Sequence, residues 1–144
     1  MGRTLEGILA YGFDLGGAHS KWSITGVQEY EEWRPSWATP EQLEEIEAGT
    51  LDYSSAISDR LEAAELDLAV VEYGMLEHEE STGLMLTAFS STSEGCGTSA
   101  LTLQDLLDRR EIERWDEAFV KALEVLDIRP WQPHPMWLLT QSYG

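Results

Sequence analysis

Apolar residues along the chain follow two patterns, one typical of strands and one typical of helices, and segments of the two kinds alternate. Near-continuous or alternating apolar runs predict strands at 8–15, 66–73, 84–89 and 136–140. A short alternating segment at 21–27 is typical of a return strand after the glycine turn Gly16-Gly17. These positions predict a sheet whose strands are separated by longer helical stretches.

Helix signals separate the strands in two places. Thr39 and Pro40 mark a helix start, because threonine caps a helix, proline fits its first turn and Gln42 can bond back to the cap. Gly49 interrupts this helix, which resumes over 51–66. A second helix begins after a cap at Thr102, and its apolar stripe continues as far as Leu126.

The order of predicted elements is strand, optional return strand, helix, two strands, helix and strand. Two strand–helix–strand units in tandem are typical of a ferredoxin-like βαββαβ sandwich, with one antiparallel sheet and two main helices on one face. The sequence therefore predicts an α+β fold in a single domain over 1–144, with an extra N-terminal hairpin formed by 21–27.

Cysteine content and hydropathy favour a cytoplasmic location. Cys96 is the single cysteine, so an internal disulfide cannot form. The first residues lack the apolar run of a signal peptide, and no stretch approaches the roughly 20 apolar residues that span a bilayer.

Charge adds the strongest indication of partner type. The chain has 27 acidic and 9 basic residues, a formal net charge of −18. Residues 29–80 contain 16 acidic residues and only two basic ones, Arg34 and Arg60. Such a surface repels nucleic acids and anionic membranes, so we expect neither as a direct partner and a basic protein instead. The alternative is that the acidity serves solubility alone.

The acidic segment beginning near residue 29 is the predicted partner-binding site. Clustered carboxylates beside tryptophans suit a basic surface, including that of a nucleic-acid-binding protein for which the chain acts as a DNA-like decoy. The tryptophans alternatively close the core. The predicted binding residues are Glu29, Glu31, Glu32, Trp33, Trp37, Glu41, Glu44, Glu45 and Glu47. No catalytic residue, metal ligand or cofactor is predicted, and an open sheet face or edge allows a homodimer.

A second hypothesis places a small-molecule pocket near Asp14 and His19, which would make the chain a small enzyme or ligand-binding domain. Residues 11–19 resemble the first phosphate loop of the sugar-kinase and actin-like ATPase superfamily. That resemblance implies that Asp14 holds a metal–nucleotide complex and that Gly16 lets the backbone approach phosphate. The competing interpretation of Gly16-Gly17 is a hairpin turn.

The first strand carries a further resemblance. Residues 8–17, with the sequence ILAYGFDLGG, are similar to a strand that recurs in small acidic Trp-rich uncharacterised proteins of actinobacteria and their phages. The resemblance implies an accessory or phage protein that binds a host component, and it brings no catalytic residues with it.

Overall fold

The computed structural model describes residues 5–17, 21–28, 31–75, 82–94 and 98–143. Four strands and four helices are present in these ranges. The strands are β1 (Leu5–Gly16), β2 (Ala69–Met75), β3 (Thr82–Glu94) and β4 (Met136–Tyr143). The helices are α1 (Pro40–Ala48), α2 (Tyr53–Ala63), α3 (Leu103–Ile112) and α4 (Trp115–Leu126). The predicted α+β class is confirmed.

The strands form one four-stranded sheet centred on β1. Strand β1 pairs antiparallel with β3 on one side and with β4 on the other, and β2 pairs antiparallel with β3. The sheet closes through a short parallel contact of Gly74 with Ser142 and Met75 with Tyr143. The sheet is therefore mixed, whereas the sequence predicted a purely antiparallel one.

Strand β1 is apolar on both faces because both are covered. Its side chains alternate across the sheet, as strand geometry requires. Tyr11, Phe13 and Leu15 join the core beneath the helices, and Ile8 and Ala10 join a smaller cluster with Met85 on the other face. At Gly12 a side chain would collide with the carbonyl oxygen of Leu86, so the close β1–β3 approach requires glycine.

Helices α2 and α4 cover the first of these faces. The buried residues of α4 are Trp115, Phe119, Ala122 and Leu126, and those of α2 are Tyr53, Ala56, Ile57 and Leu61. The sequence predicted two main helical stretches, and each is broken once in the structure. The described ranges therefore contain four helices, α1 and α2 from the first stretch and α3 and α4 from the second. Gly49, in a left-handed conformation at φ 72°, ends α1 as predicted.

The second break was not predicted. Arg114 adopts a left-handed conformation at φ 53° between α3 and α4, although the apolar stripe continues across it. The predicted N-terminal hairpin also differs. Leu15 and Ser23 share a backbone hydrogen bond, but residues 21–28 form only isolated bridges, of Trp22 with Gly16 and of Ile24 with Pro130.

Candidate functional site

Helix α1 is an exposed acidic helix held to the core by one side chain. Its ends are fixed locally, because Thr39 and Gln42 form the predicted capping box. Ile46 is its single buried residue, at 1% exposure. The four glutamates Glu41, Glu44, Glu45 and Glu47 are all exposed. The helix therefore carries its charges on a defined scaffold outside the core.

These four carboxylates repel one another. Glu41 and Glu44 are three positions apart, Glu41 and Glu45 four, and Glu44 and Glu47 three, spacings at which side chains on a helix are neighbours. The last turn has no basic residue to offset the helix dipole. Arg34 lies 3.8 Å from the carboxylate of Glu47, and both side chains are largely exposed. Arg34 therefore offsets only part of the repulsion among these glutamates, and the remaining repulsion destabilises α1 in the isolated protein.

A cleft of about 620 Å³ adjoins the end of α1. Its walls come from residues 24–27 and 31–34, together with Glu47 and Asp127. Four acidic residues line it, Glu31, Glu32, Glu47 and Asp127, and Arg34 is the one basic residue among the described residues of its lining. The fold therefore brings three of the predicted glutamates to one concave surface.

The cleft lies above a stack of aromatic rings. Trp33 lines the cleft yet is only 5% exposed. Its ring stacks on that of Tyr53 at 5.9 Å and meets Trp22 edge-on at 5.3 Å. The Tyr53 hydroxyl donates a hydrogen bond of 2.8 Å to the Trp33 carbonyl. The cleft thus rests on packed core rather than on a loose loop.

The pKa of Tyr53 is raised to about 12, mainly by burial. The negative charge of Glu32 contributes to this increase, and the positive charge of Arg34 opposes it. The phenol therefore stays protonated at neutral pH, and it senses the same two charges that line the cleft.

Asp127 brings a carboxylate from a distant part of the chain. It caps the C-terminus of α4 in a left-handed conformation, at φ 50°. The Ser36 hydroxyl donates a 2.7 Å hydrogen bond to its carboxylate. Since the C-terminal end of a helix carries partial negative charge, this position adds to the negative potential of the cleft. The arrangement suits a cationic group.

The other predicted residues divide between surface and core. Trp37 is partly buried, donates its indole N–H to the Leu126 carbonyl at 2.9 Å and lies under the guanidinium of Arg60 at 5.0 Å. Both predicted tryptophans thus help to close the core, and Trp33 also reaches the cleft. Glu31 accepts a hydrogen bond from the backbone of Gln28, and Glu29 lies outside the described residues.

Asp14 has structural partners. One oxygen of its carboxylate accepts hydrogen bonds from the Tyr73 hydroxyl at 2.7 Å and from the Gly16 amide at 3.0 Å. Gly16, the glycine that suggested a phosphate loop, is therefore the last residue of β1, and its amide is already bonded to Asp14 at an irregularity in the strand register. His19, the other residue of that hypothesis, and Cys96 lie outside the described residues.

Two other kinds of site are absent from the described ranges. No group of three or more histidine, cysteine, aspartate or glutamate residues is placed there to hold a metal ion. No helix in those ranges is long and apolar enough to span a membrane.

Comparison with known proteins adds no relative. The chain matches no protein-family model, no curated protein and no solved structure. Its function must therefore be argued from its own residues.

Proposed function

We propose that this protein is an interaction module that binds a basic partner through helix α1 and the adjoining acidic cleft. The observation that carries the proposal is the convergence of Glu31, Glu32, Glu47 and Asp127 on one cleft, where Arg34 is the one base among the lining residues that the structure describes. A lysine or arginine side chain entering there would meet carboxylates on several sides. Such complementarity gives specificity and fast association rather than large affinity by itself.

The charge spacing on α1 supports a DNA-like decoy as the form of this interaction. Four glutamates occupy positions 41 to 47. At the rise of an α-helix this places them within about 9 Å of axis, or roughly 3 Å per charge, close to the roughly 3.4 Å per phosphate of one DNA strand. The four glutamates spread over more than one face of the helix, so a nucleic-acid-binding protein would meet a field of charge with comparable spacing along the axis, on a scaffold fixed at both ends.

The finer expectations from sequence belong to the same proposal. A ferredoxin-like arrangement is supported by the antiparallel neighbours β4–β1–β3–β2, with the closing β2–β4 contact as a departure. From the resemblance of residues 8–17 we also propose that the protein is an accessory or phage protein of actinobacteria that binds a host component in the cytoplasm.

Capture from a bacterial lysate tests the proposal. We expect a basic protein to be retained at low salt, released as salt rises and displaced by duplex DNA, because exposed charges are screened beyond about 10 Å at 0.1 M salt. The variant Glu41→Lys/Glu44→Lys/Glu47→Lys, which reverses charges on α1 and at the cleft, should lose this capture. Its matched control, Asp59→Lys/Glu62→Lys/Asp67→Lys, changes exposed acids elsewhere by the same total charge and should retain it.

Equal capture by the wild type and the α1 variant would refute the proposal. Equal loss in both variants would show that net charge alone, and no defined surface, attracts the partner. That second result would favour acidity as a solubility trait.

A further inference from the structure

Strand β4 lies in the least charged part of the molecule. Residues 131–144 contain no aspartate, glutamate, lysine or arginine, although the whole chain carries −18. Exposed polar atoms and apolar side chains are therefore what this segment offers to solvent. Its surface differs in kind from the acidic surface of α1.

One edge of β4 is left largely unpaired within the described residues. The strand pairs with β1 over its whole length, from Gly12–Met136 to Leu5–Tyr143. On its other edge it meets β2 only at Ser142 and Tyr143. Although the β2 contact closes the sheet at one end of β4, no described strand pairs with the backbone of 136–141 on that side, and such an unpaired stretch is a template for pairing with another strand.

Side chains at this edge do nothing to block pairing. Leu139 is 82% exposed, and Met136 and Trp137 are also exposed. Natural proteins protect an open edge with lysine, proline or an inward-pointing charge. Pro135 stands just before the strand, but between Met136 and Gln141 the strand has none of these.

We propose that β4 pairs antiparallel with β4 of a second copy, which would join the two sheets across a two-fold axis. A second copy is the occupant that the charges favour. Two molecules of −18 repel at most approaches, and residues 131–144 contribute no acidic side chain to that repulsion. A basic partner is drawn to α1 instead, and an antiparallel strand pair is self-complementary, as a symmetric dimer requires.

Salt separates this contact from the binding of a basic partner. Screening weakens the repulsion between two acidic copies, so dimerisation should strengthen as salt rises. Binding of a basic partner by α1 should weaken over the same range. The two proposals therefore fail independently.

Sedimentation velocity on the full chain, from about 1 μM to about 1 mM, brackets the affinity expected for a small interface. We expect a monomer–dimer equilibrium that shifts to dimer with concentration and with salt. Leu139→Lys places a charge on the edge and should shift the midpoint at least tenfold toward monomer. Ile112→Lys changes an equally exposed apolar residue on α3, at 79%, and should leave the midpoint unchanged.

A wild type that stays monomeric over the whole range would overturn the proposal. So would a dimer that Leu139→Lys and Ile112→Lys affect equally, because that result would place the contact elsewhere. Both variants alter exposed positions, so loss of the fold should not confuse the outcome.

Discussion

Helix α1 and strand β4 are two exposed elements with opposite chemistry. Helix α1 concentrates four glutamates and buries only Ile46, whereas β4 carries no charge and exposes Leu139. Each has a physical cost for the isolated molecule: like-charge repulsion in α1, and an unprotected edge in β4. The difference teaches that the charge of a strongly acidic chain can be concentrated on one surface. We propose that α1 binds a cationic partner and that the uncharged β4 binds a second copy of the chain.

The largest expected effect concerns the attachment of α1. Ile46→Ala should lower the free energy of unfolding by about 2–4 kcal/mol, because it opens a cavity where the helix meets the core. Leu139→Ala, the corresponding truncation on β4, should change it by less than about 0.5 kcal/mol. Urea denaturation of both variants measures the contrast, and similar losses would show that β4 is covered in solution.

A smaller effect of opposite sign is expected from relieving repulsion on α1. Glu44→Gln removes a carboxylate that lies three positions from both Glu41 and Glu47, so stability at low salt should rise by about 0.3–1 kcal/mol. Glu117→Gln removes the partner of Arg114, 3.5 Å away, and should bring no gain. Thermal melts at low and high salt test this, and the gain should vanish as salt rises.

No gain from Glu44→Gln at low salt would mean that the α1 charges are already compensated. The case for a cationic partner would then lose its energetic basis.

The smallest expected effect distinguishes the tyrosines under the two regions. Tyr53 lies beneath the cleft and Tyr11 packs on Trp137 of β4 at 4.9 Å, and each has a pKa raised to about 12. Burial is the main cause in both, followed by the charge of Glu32 for Tyr53 and by the hydrogen bond to Asp116 for Tyr11. Glu32→Gln should therefore lower the pKa of Tyr53 and leave that of Tyr11 unchanged.

Tyrosinate absorbance during alkaline titration measures these pKa values. Unfolded tyrosine ionises near pH 10. The stability that both residues contribute is thus complete below about pH 10 and is lost as the pH rises through their folded value of about 12. If Glu32→Gln leaves the pKa of Tyr53 unchanged, the carboxylate of Glu32 points away from the cleft.

Sequence reasoning succeeded where the signal was local. The capping box of Thr39 and Gln42 and the end of α1 at Gly49 depend on hydrogen bonds between near neighbours, so the residue types reveal them. The break at Arg114 was missed because a left-handed arginine leaves no trace in an apolar stripe that continues across it. The parallel contact of β2 with β4 was missed because it joins residues far apart in the chain, which no local pattern reveals.

The candidate site was predicted in part for the same reason. Glu31, Glu32 and Glu47 were visible as acidic positions, but their convergence depends on the tertiary fold. Asp127 was missed because it reaches the cleft from the end of α4, and only its place after the last apolar residue of that stripe marked it as a helix end. Trp33 could not be assigned to core or surface by composition, since tryptophan is common in both.

The most direct test of the acidic surface is an amide chemical-shift titration of the full chain with an oligoarginine peptide, at low and raised salt. We predict that the largest shifts fall on α1, on residues 31–34 and on Asp127, that they shrink as salt rises, and that β4 is unaffected. Small shifts spread evenly over every acidic position, including Asp59, Glu62 and Asp67, would contradict a defined binding surface and leave the charge with no role beyond solubility.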